Sequence, residues 1–251
     1  MPEDRTREPS GYAEPVEISD SAKTGLRRST SRLNNAVYDQ LKERLMEGMY
    51  PAGERLSAEG LRTEFGVSKQ PVMESLRRLA ADGLVEILPQ VGSRVMTYTM
   101  RDVADFYVMF GGFEGTIAGM AAQRRTDEQL IELDLISARI DALRTESDHD
   151  ARAHGYRTLN RRFHHAIHDM AHSQIAADSS RRLWDLSDFL INTTGVPQPL
   201  STALDDRHAD HERIREAIHA GDAAAARHEM ESHIVGTIDV IKAEAQAGLS
   251  S

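Results

Sequence analysis

At 251 residues the chain is long enough for two ordinary domains with buried cores. It has no cysteine, which excludes a disulfide framework and thiolate-bound zinc and fits a reducing compartment. The formal charge is −10, yet residues 31–98 carry nine Lys and Arg against nine Asp and Glu, so the acidity lies elsewhere and leaves room for a nucleic-acid surface on that segment.

Residues 1–30, rich in Pro, Ser, Glu and Arg, read as a disordered tail. No run of eighteen apolar residues occurs and no apolar leader is present, so the expectation is a cytoplasmic protein without a membrane span. Leu33 to Met49 carries Val37, Leu41, Leu45 and Met46 at helical spacing, and Pro51-Ala52-Gly53 ends that helix. Ser57 is placed to cap a second helix running to Phe65. Gly66 then ends it and Ser68 starts a third, with Val67 and Val72 in the two positions of a hydrophobic staple and Pro71 in the first turn, where its missing N–H costs nothing. Val72, Leu76 and Leu79 face inward, while Lys69, Gln70, Met73, Arg77 and Arg78 point elsewhere. After Gly83, two short apolar segments flank Pro89-Gln90-Val91-Gly92, which is hairpin chemistry. Three helices and a hairpin make a winged helix-turn-helix over residues 31–98. Ser68, Lys69, Gln70 and Arg77 on the third helix, with Arg55, Arg78, Arg94 and the wing-tip Gly92, are the residues expected to meet DNA.

From Thr99 to the end the pattern is helical: about 99–125, 127–143, 151–172, 175–192, 203–219 and 223–246, with Gly195 to Pro199 as a break. The fold class is therefore mainly α, a winged helix-turn-helix followed by an antiparallel bundle of about six helices over residues 99–251. Gly111-Gly112 weakens the first of these helices but permits close approach of a neighbour. All eleven histidines follow residue 148. Asn160 and His164 share one face of a helix, and His211 and His233 stand on two later helices, the way bundles assemble interior metal sites for Zn²⁺ or Ni²⁺. His164, His168 and His172 also share a face, and spacing alone does not choose between these sets. A hydrolytic zinc site is the enzymatic alternative, although HExxH spacing is absent and Glu212 points about 100° away from His211. A constitutive DNA binder with inert histidines is a third reading.

The run from Pro51 to Val95 resembles the DNA-binding domain of the GntR family of bacterial regulators. The matches are Pro51, Gly53, Leu56, Gly66, Val67, Ser68, Pro71, Val72, Leu76, Leu79, Gly83, Leu84, Val85, Gly92 and Val95. The family's first two recognition-helix arginines correspond to Lys69 and Met73, and Arg77 retains the third. The segments NRRFH at Asn160–His164 and HERIREAIHAGD at His211–Asp222, with His233, are similar to the FCD effector domain of the FadR-like branch. That resemblance implies a divalent metal held by Asn160, His164, His211 and His233, and a carboxylate effector bound to it. It further implies a homodimeric, ligand-responsive regulator, by default a repressor, on a palindromic operator. Two departures stand out. Asn160 replaces the commoner Asp, and Phe110 replaces an Arg that often precedes the Glu matched by Glu114, leaving Arg161 and Arg162 as candidate replacement cations.

Overall fold

The computed structural model describes residues 20–193 and 203–248. The segments 1–19 and 194–202, which include most of the expected tail and the expected Gly195–Pro199 break, lie outside the described residues. Nine α-helices occur among those described: α1 Asp20–Met46, α2 Ala58–Phe65, α3 Lys69–Ala81, α4 Met100–Arg124, α5 Asp127–Ala142, α6 His149–Met170, α7 Gln174–Thr193, α8 Leu204–Ala220 and α9 Ala223–Gly248. The strands are β1 Arg55–Leu56, β2 Val85–Leu88 and β3 Gly92–Val95.

The first helix departs from the sequence expectation. It begins at Asp20, so the last third of the expected tail is helical. No proline interrupts residues 16–50, so nothing in the sequence stops a helix from running through this stretch. It stops at Met46 rather than Met49, because Gly48 turns the chain with φ +70°. Ser57 caps α2 as expected, accepting from the Gly60 N–H at 3.2 Å. Ser68 occupies the N-cap of α3, but its hydroxyl makes no capping bond. Pro71, Val72, Ser75, Leu76 and Leu79 form the buried face of α3, packed on α1, and Met73 joins that core in part instead of pointing away.

The wing is a three-stranded sheet, not a two-stranded one, in the order β1-β3-β2 with both pairings antiparallel. The Pro51–Gly53 turn brings the chain back so that Gly53 N–H donates to Val95 O (3.1 Å) and Val95 N–H to Glu54 O (2.8 Å), which seats β1 on the far side of β3. Leu88 pairs with Gly92, leaving a three-residue loop at the tip with Gln90 at φ +64°.

In the second unit α4 is the central helix, in contact with α6, α7, α8 and α9. Thr99 and Asp102 form a capping box at its start, and Thr126 with Gln129 does the same for α5. Gly111, Gly115 and Gly119 recur every turn along one face of α4. They abut Glu231, Arg227 and Ala223 of α9 in that reverse order, so the two helices run antiparallel with their backbones nearly touching. A Cβ on Gly115 would stand 2.7 Å from the Arg227 carbonyl oxygen, whereas one on Gly112 would meet nothing within 4 Å.

The units share a boundary. Tyr98 packs edge-on against Phe189 of α7, Asn192 Nδ2 donates to the Met46 carbonyl, and Lys42 of α1 forms an ion pair with Asp185 of α7.

The glycine row yields a paired prediction. Gly115→Ala should lower stability by about 1–3 kcal/mol through overpacking, while Gly112→Ala should raise it by about 1 kcal/mol through helix propensity alone. Urea midpoints of the two variants distinguish them, and a stabilised Gly115→Ala would show that the two helices are not held in contact.

Candidate functional site

Two surfaces collect the residues singled out above. On the first, Ser68, Lys69 and Gln70 are exposed at the N-terminus of α3, where backbone N–H groups and the helix dipole favour an anion. Arg77 is exposed one face further along, with Glu74 3.6 Å away. Arg55 lies directly opposite Arg94 across the β1–β3 ladder. Two cations in that register repel, and Glu86 relieves it in part by accepting from Arg94 Nε at 2.6 Å. Gly92, at φ +122°, allows the sharp return at the wing tip. Arg78 is turned away from this surface: its guanidinium stacks on Tyr38 of α1 at 3.6 Å and donates to Asn35 Oδ1 at 2.9 Å.

The second site is buried. His164 of α6, His211 of α8 and His233 of α9 are 1%, 0% and 2% exposed. One ring nitrogen from each lies within 4.8 Å of the others, close enough to share a metal ion. Their ring centroids are 4.6–5.5 Å apart. Phe163 stacks on His211 at 4.2 Å and Trp184 lies 4.4 Å from His164, so the walls are aromatic. Burial, reinforced by their mutual proximity and by Arg207, drives the proton affinity of all three rings well below the ordinary histidine value. They are neutral imidazoles, the protonation state a metal requires. Both nitrogens of His164 and both of His211 have no hydrogen-bond partner. Four buried nitrogens without partners in a folded core are costly unless something binds them.

Asn160, one turn before His164, is half-buried and accepts from the Tyr156 hydroxyl at 3.4 Å. Tyr156 in turn stacks over His211 at 6.4 Å, so Asn160 borders the trio through that ring. The open choice among histidines is resolved by partners. His168 is buried but bonded through Nε2 to Glu114 Oε2 at 2.8 Å, with Ser180 donating to the same carboxylate. His172 is exposed at φ +48° after α6 has ended. Glu212 is held by Arg215 and Ser137 and lies outside the trio.

The candidate replacement cations need correction. Arg161 reaches Asp185 and Asp188, and Arg162 reaches Glu132; neither belongs to the trio. Phe110 packs against Phe106 and Trp184 and brings no charge. The buried cation at the trio is Arg207 of α8, which bonds to His233. Its spacing of four residues before His211 was the available signal. Asp210, which meets His233 Nδ1 at 3.2 Å, carried none, because its partner is on another helix.

Residues 33–95 match the family described as bacterial regulatory proteins, gntR family, and residues 105–236, more than half the chain, match the FCD domain. The chain belongs to the GntR family, in the branch carrying an FCD domain. An uncharacterised HTH-type regulator of Bacillus subtilis strain 168, YdhC, is 25% identical over 78% of this chain and 85% of its own length. The HTH-type transcriptional repressor RspR of Escherichia coli K12 is 30% identical over 61% of this chain and 66% of its own length. Among solved structures, E. coli McbR/YncC superposes with a TM-score of 0.69 at 20% identity, covering 84% of this chain and 97% of that one. A GntR regulator from Rhodococcus sp. RHA1 gives 0.65 at 21% identity, covering 85% and 98%. At those identities the structural likeness establishes the fold. This GntR protein is a transcriptional regulator and not an enzyme, which sets aside the hydrolytic alternative.

The contrast between His168 and His172 is testable. His168→Ala leaves the fully buried Glu114 without its ring partner and should cost about 3–5 kcal/mol. His172→Ala should fall within about 0.5 kcal/mol of the parent. Thermal unfolding of both variants checks this, and equal midpoints would refute the buried pairing.

Proposed function

We propose that this regulator is a homodimeric, ligand-responsive repressor whose FCD domain binds a divalent metal, Zn²⁺ or Ni²⁺, through His164, His211 and His233 with Asn160 alongside, and a carboxylate effector through that metal. The observation that carries the reading is the set of four partnerless buried nitrogens on two of three clustered neutral imidazoles. Nitrogen donors of this kind suit borderline metals better than Mg²⁺ or Ca²⁺. When bound, the metal supplies a positive, electron-accepting anchor for an effector oxygen. The chain's own residues do the remainder. Asp210 accepts from His233 Nδ1 and so leaves Nε2 as the donor atom. Phe163, Trp184 and Tyr156 exclude water from the imidazoles.

Two copies would present Ser68, Lys69, Gln70 and Arg77 to successive major grooves of a palindrome, with Gly92, Arg55 and Arg94 on the wings against the backbone. The exposed Val108 and Met109 on α4, 58% and 69% accessible, support a homodimer formed on that helix. Effector binding reaches the DNA-binding unit through α6. Arg161, one turn from His164, pairs with Asp185, the same carboxylate that binds Lys42 of α1. The effector acts only in so far as it binds the two arrangements of these helices unequally.

Elemental mass spectrometry of the purified protein should find about one zinc or nickel per chain, lost in both His164→Ala and His211→Ala, and the metal should change affinity for operator DNA. A chain that stays metal-free after incubation with both ions would sink the metal reading. Operator affinity indifferent to metal and chelator would instead favour a constitutive binder. On a duplex selected from a random pool, Lys69→Ala and Arg77→Ala should each weaken binding and reduce the salt slope by about 1. Arg78→Ala should leave that slope unchanged, because its guanidinium is held by Tyr38 and Asn35.

A further inference from the structure

One imidazole of the trio already has a cation on it. Arg207 is 5% exposed. Its Nη1 donates to the His233 backbone carbonyl at 2.7 Å, and its Nη2 donates to Thr237 Oγ1 at 3.0 Å. The same Nη2 stands 3.2 Å from His233 Nε2. The tautomer follows from the other side of the ring. Asp210 Oδ2 lies 3.2 Å from Nδ1, and a carboxylate only accepts, so Nδ1 carries the proton and Nε2 presents its lone pair. A guanidinium only donates. The lone pair of Nε2 is therefore spent on Arg207, and it is the lone pair a metal needs.

We infer that Arg207 is an internal cation closing the trio, and that a divalent metal binds by displacing its guanidinium from His233 Nε2. This inference rests on the reading of the three histidines as a metal site. Local charge gives the dication only a small advantage over the guanidinium. Position 160 is a neutral amide, and the carboxylate within reach of Arg207, Asp210 at 3.6 Å, is shared with Arg213. A metal must win through bond strength to nitrogen. Arg207 is thus a specificity-determining residue: ions with high affinity for imidazole, Zn²⁺, Ni²⁺ and Cu²⁺, displace it, while Mn²⁺ and Mg²⁺ do not. Thr237 and the His233 carbonyl set how firmly the guanidinium is held, and hence the threshold.

The test is a titration of the chelator-treated full chain with zinc chloride, nickel chloride and manganese chloride. It is read by calorimetry and by fluorescence of Trp184, the single tryptophan, 4.4 Å from His164. Arg207→Gln should bind zinc and nickel about tenfold or more tightly than the parent, the equivalent of one hydrogen bond from a charged donor. Thr237→Val keeps the guanidinium but removes one anchor, and should tighten zinc by a smaller factor, so the inference can be tested even if Arg207→Gln fails to fold. Manganese should not register in the parent. Parent-like or weaker zinc binding in a folded Arg207→Gln, or unchanged zinc affinity in Thr237→Val, overturns the displacement and leaves the metal site standing. Absence of zinc and nickel binding in parent and variants alike overturns the metal site, and the displacement with it.

Discussion

The antiparallel contact between α4 and α9 is the constraint on which the effector unit is built. Gly111, Gly115 and Gly119 remove every side chain from one face of α4, and the α9 backbone occupies the space they leave. That closeness fixes where α9 runs, and His233 rides on α9 between Glu231 and Val235, the residues that meet Gly111. Beside that face, Tyr107, Phe110 and Glu114 of α4 contact Ser187, Trp184 and the His168–Ser180 pair on α6 and α7. One helix thereby contacts all three helices that carry the imidazoles, α6, α8 and α9.

The interior shows two ways of burying polar groups. Glu114, His168 and Ser180 satisfy one another, which lets a carboxylate sit at 0% exposure and stiffens the centre of the bundle. The His164–His211–His233 trio does not. A leucine at either of the first two positions would avoid the loss of solvation without needing a partner, so stability alone does not account for imidazoles there. Arg207 covers the one lone pair that Asp210 has oriented and leaves the others unserved. The three imidazoles lie close enough together to hold a metal ion, and Arg207 is the charged group bonded to one of them.

The two units meet in part through ion pairs at α7. Asp185 accepts from Lys42 on the DNA-binding side and from Arg161 on the effector side, and Asp188 shares Arg161. Asp188 is buried enough that its carboxyl is pushed up to about 6, with Arg161 opposing the shift. Arg161 on α6 is thus tied to two carboxylates of α7, and α7 in turn touches α1. The edge-on packing of Tyr98 on Phe189 and the seating of Asn192 at the end of α1 limit how far the units can separate without breaking core contacts.

The local order of the chain was legible without coordinates wherever it depends on neighbours in sequence. The Ser57, Thr99 and Asp222 caps, the Gly66 and Gly221 stops, the inward faces of α3 to α5 and the wing turn all follow from backbone preferences that act over a few residues. The trio was also within reach, because His164, His211 and His233 fall at matched positions of a known pattern. The sequence by itself therefore determined the helices after α1, the winged module apart from its third strand, and which histidines to consider. Tertiary structure decided what depends on partners distant in the chain: that β1 completes the sheet, that Arg78 belongs to Tyr38, that His168 is bound by Glu114, and that Arg207 rather than Arg161 is the cation at the site. Periodicity says which side of a helix a residue is on. It does not say which other helix is packed there, and for a buried charge that neighbour is the whole of its chemistry.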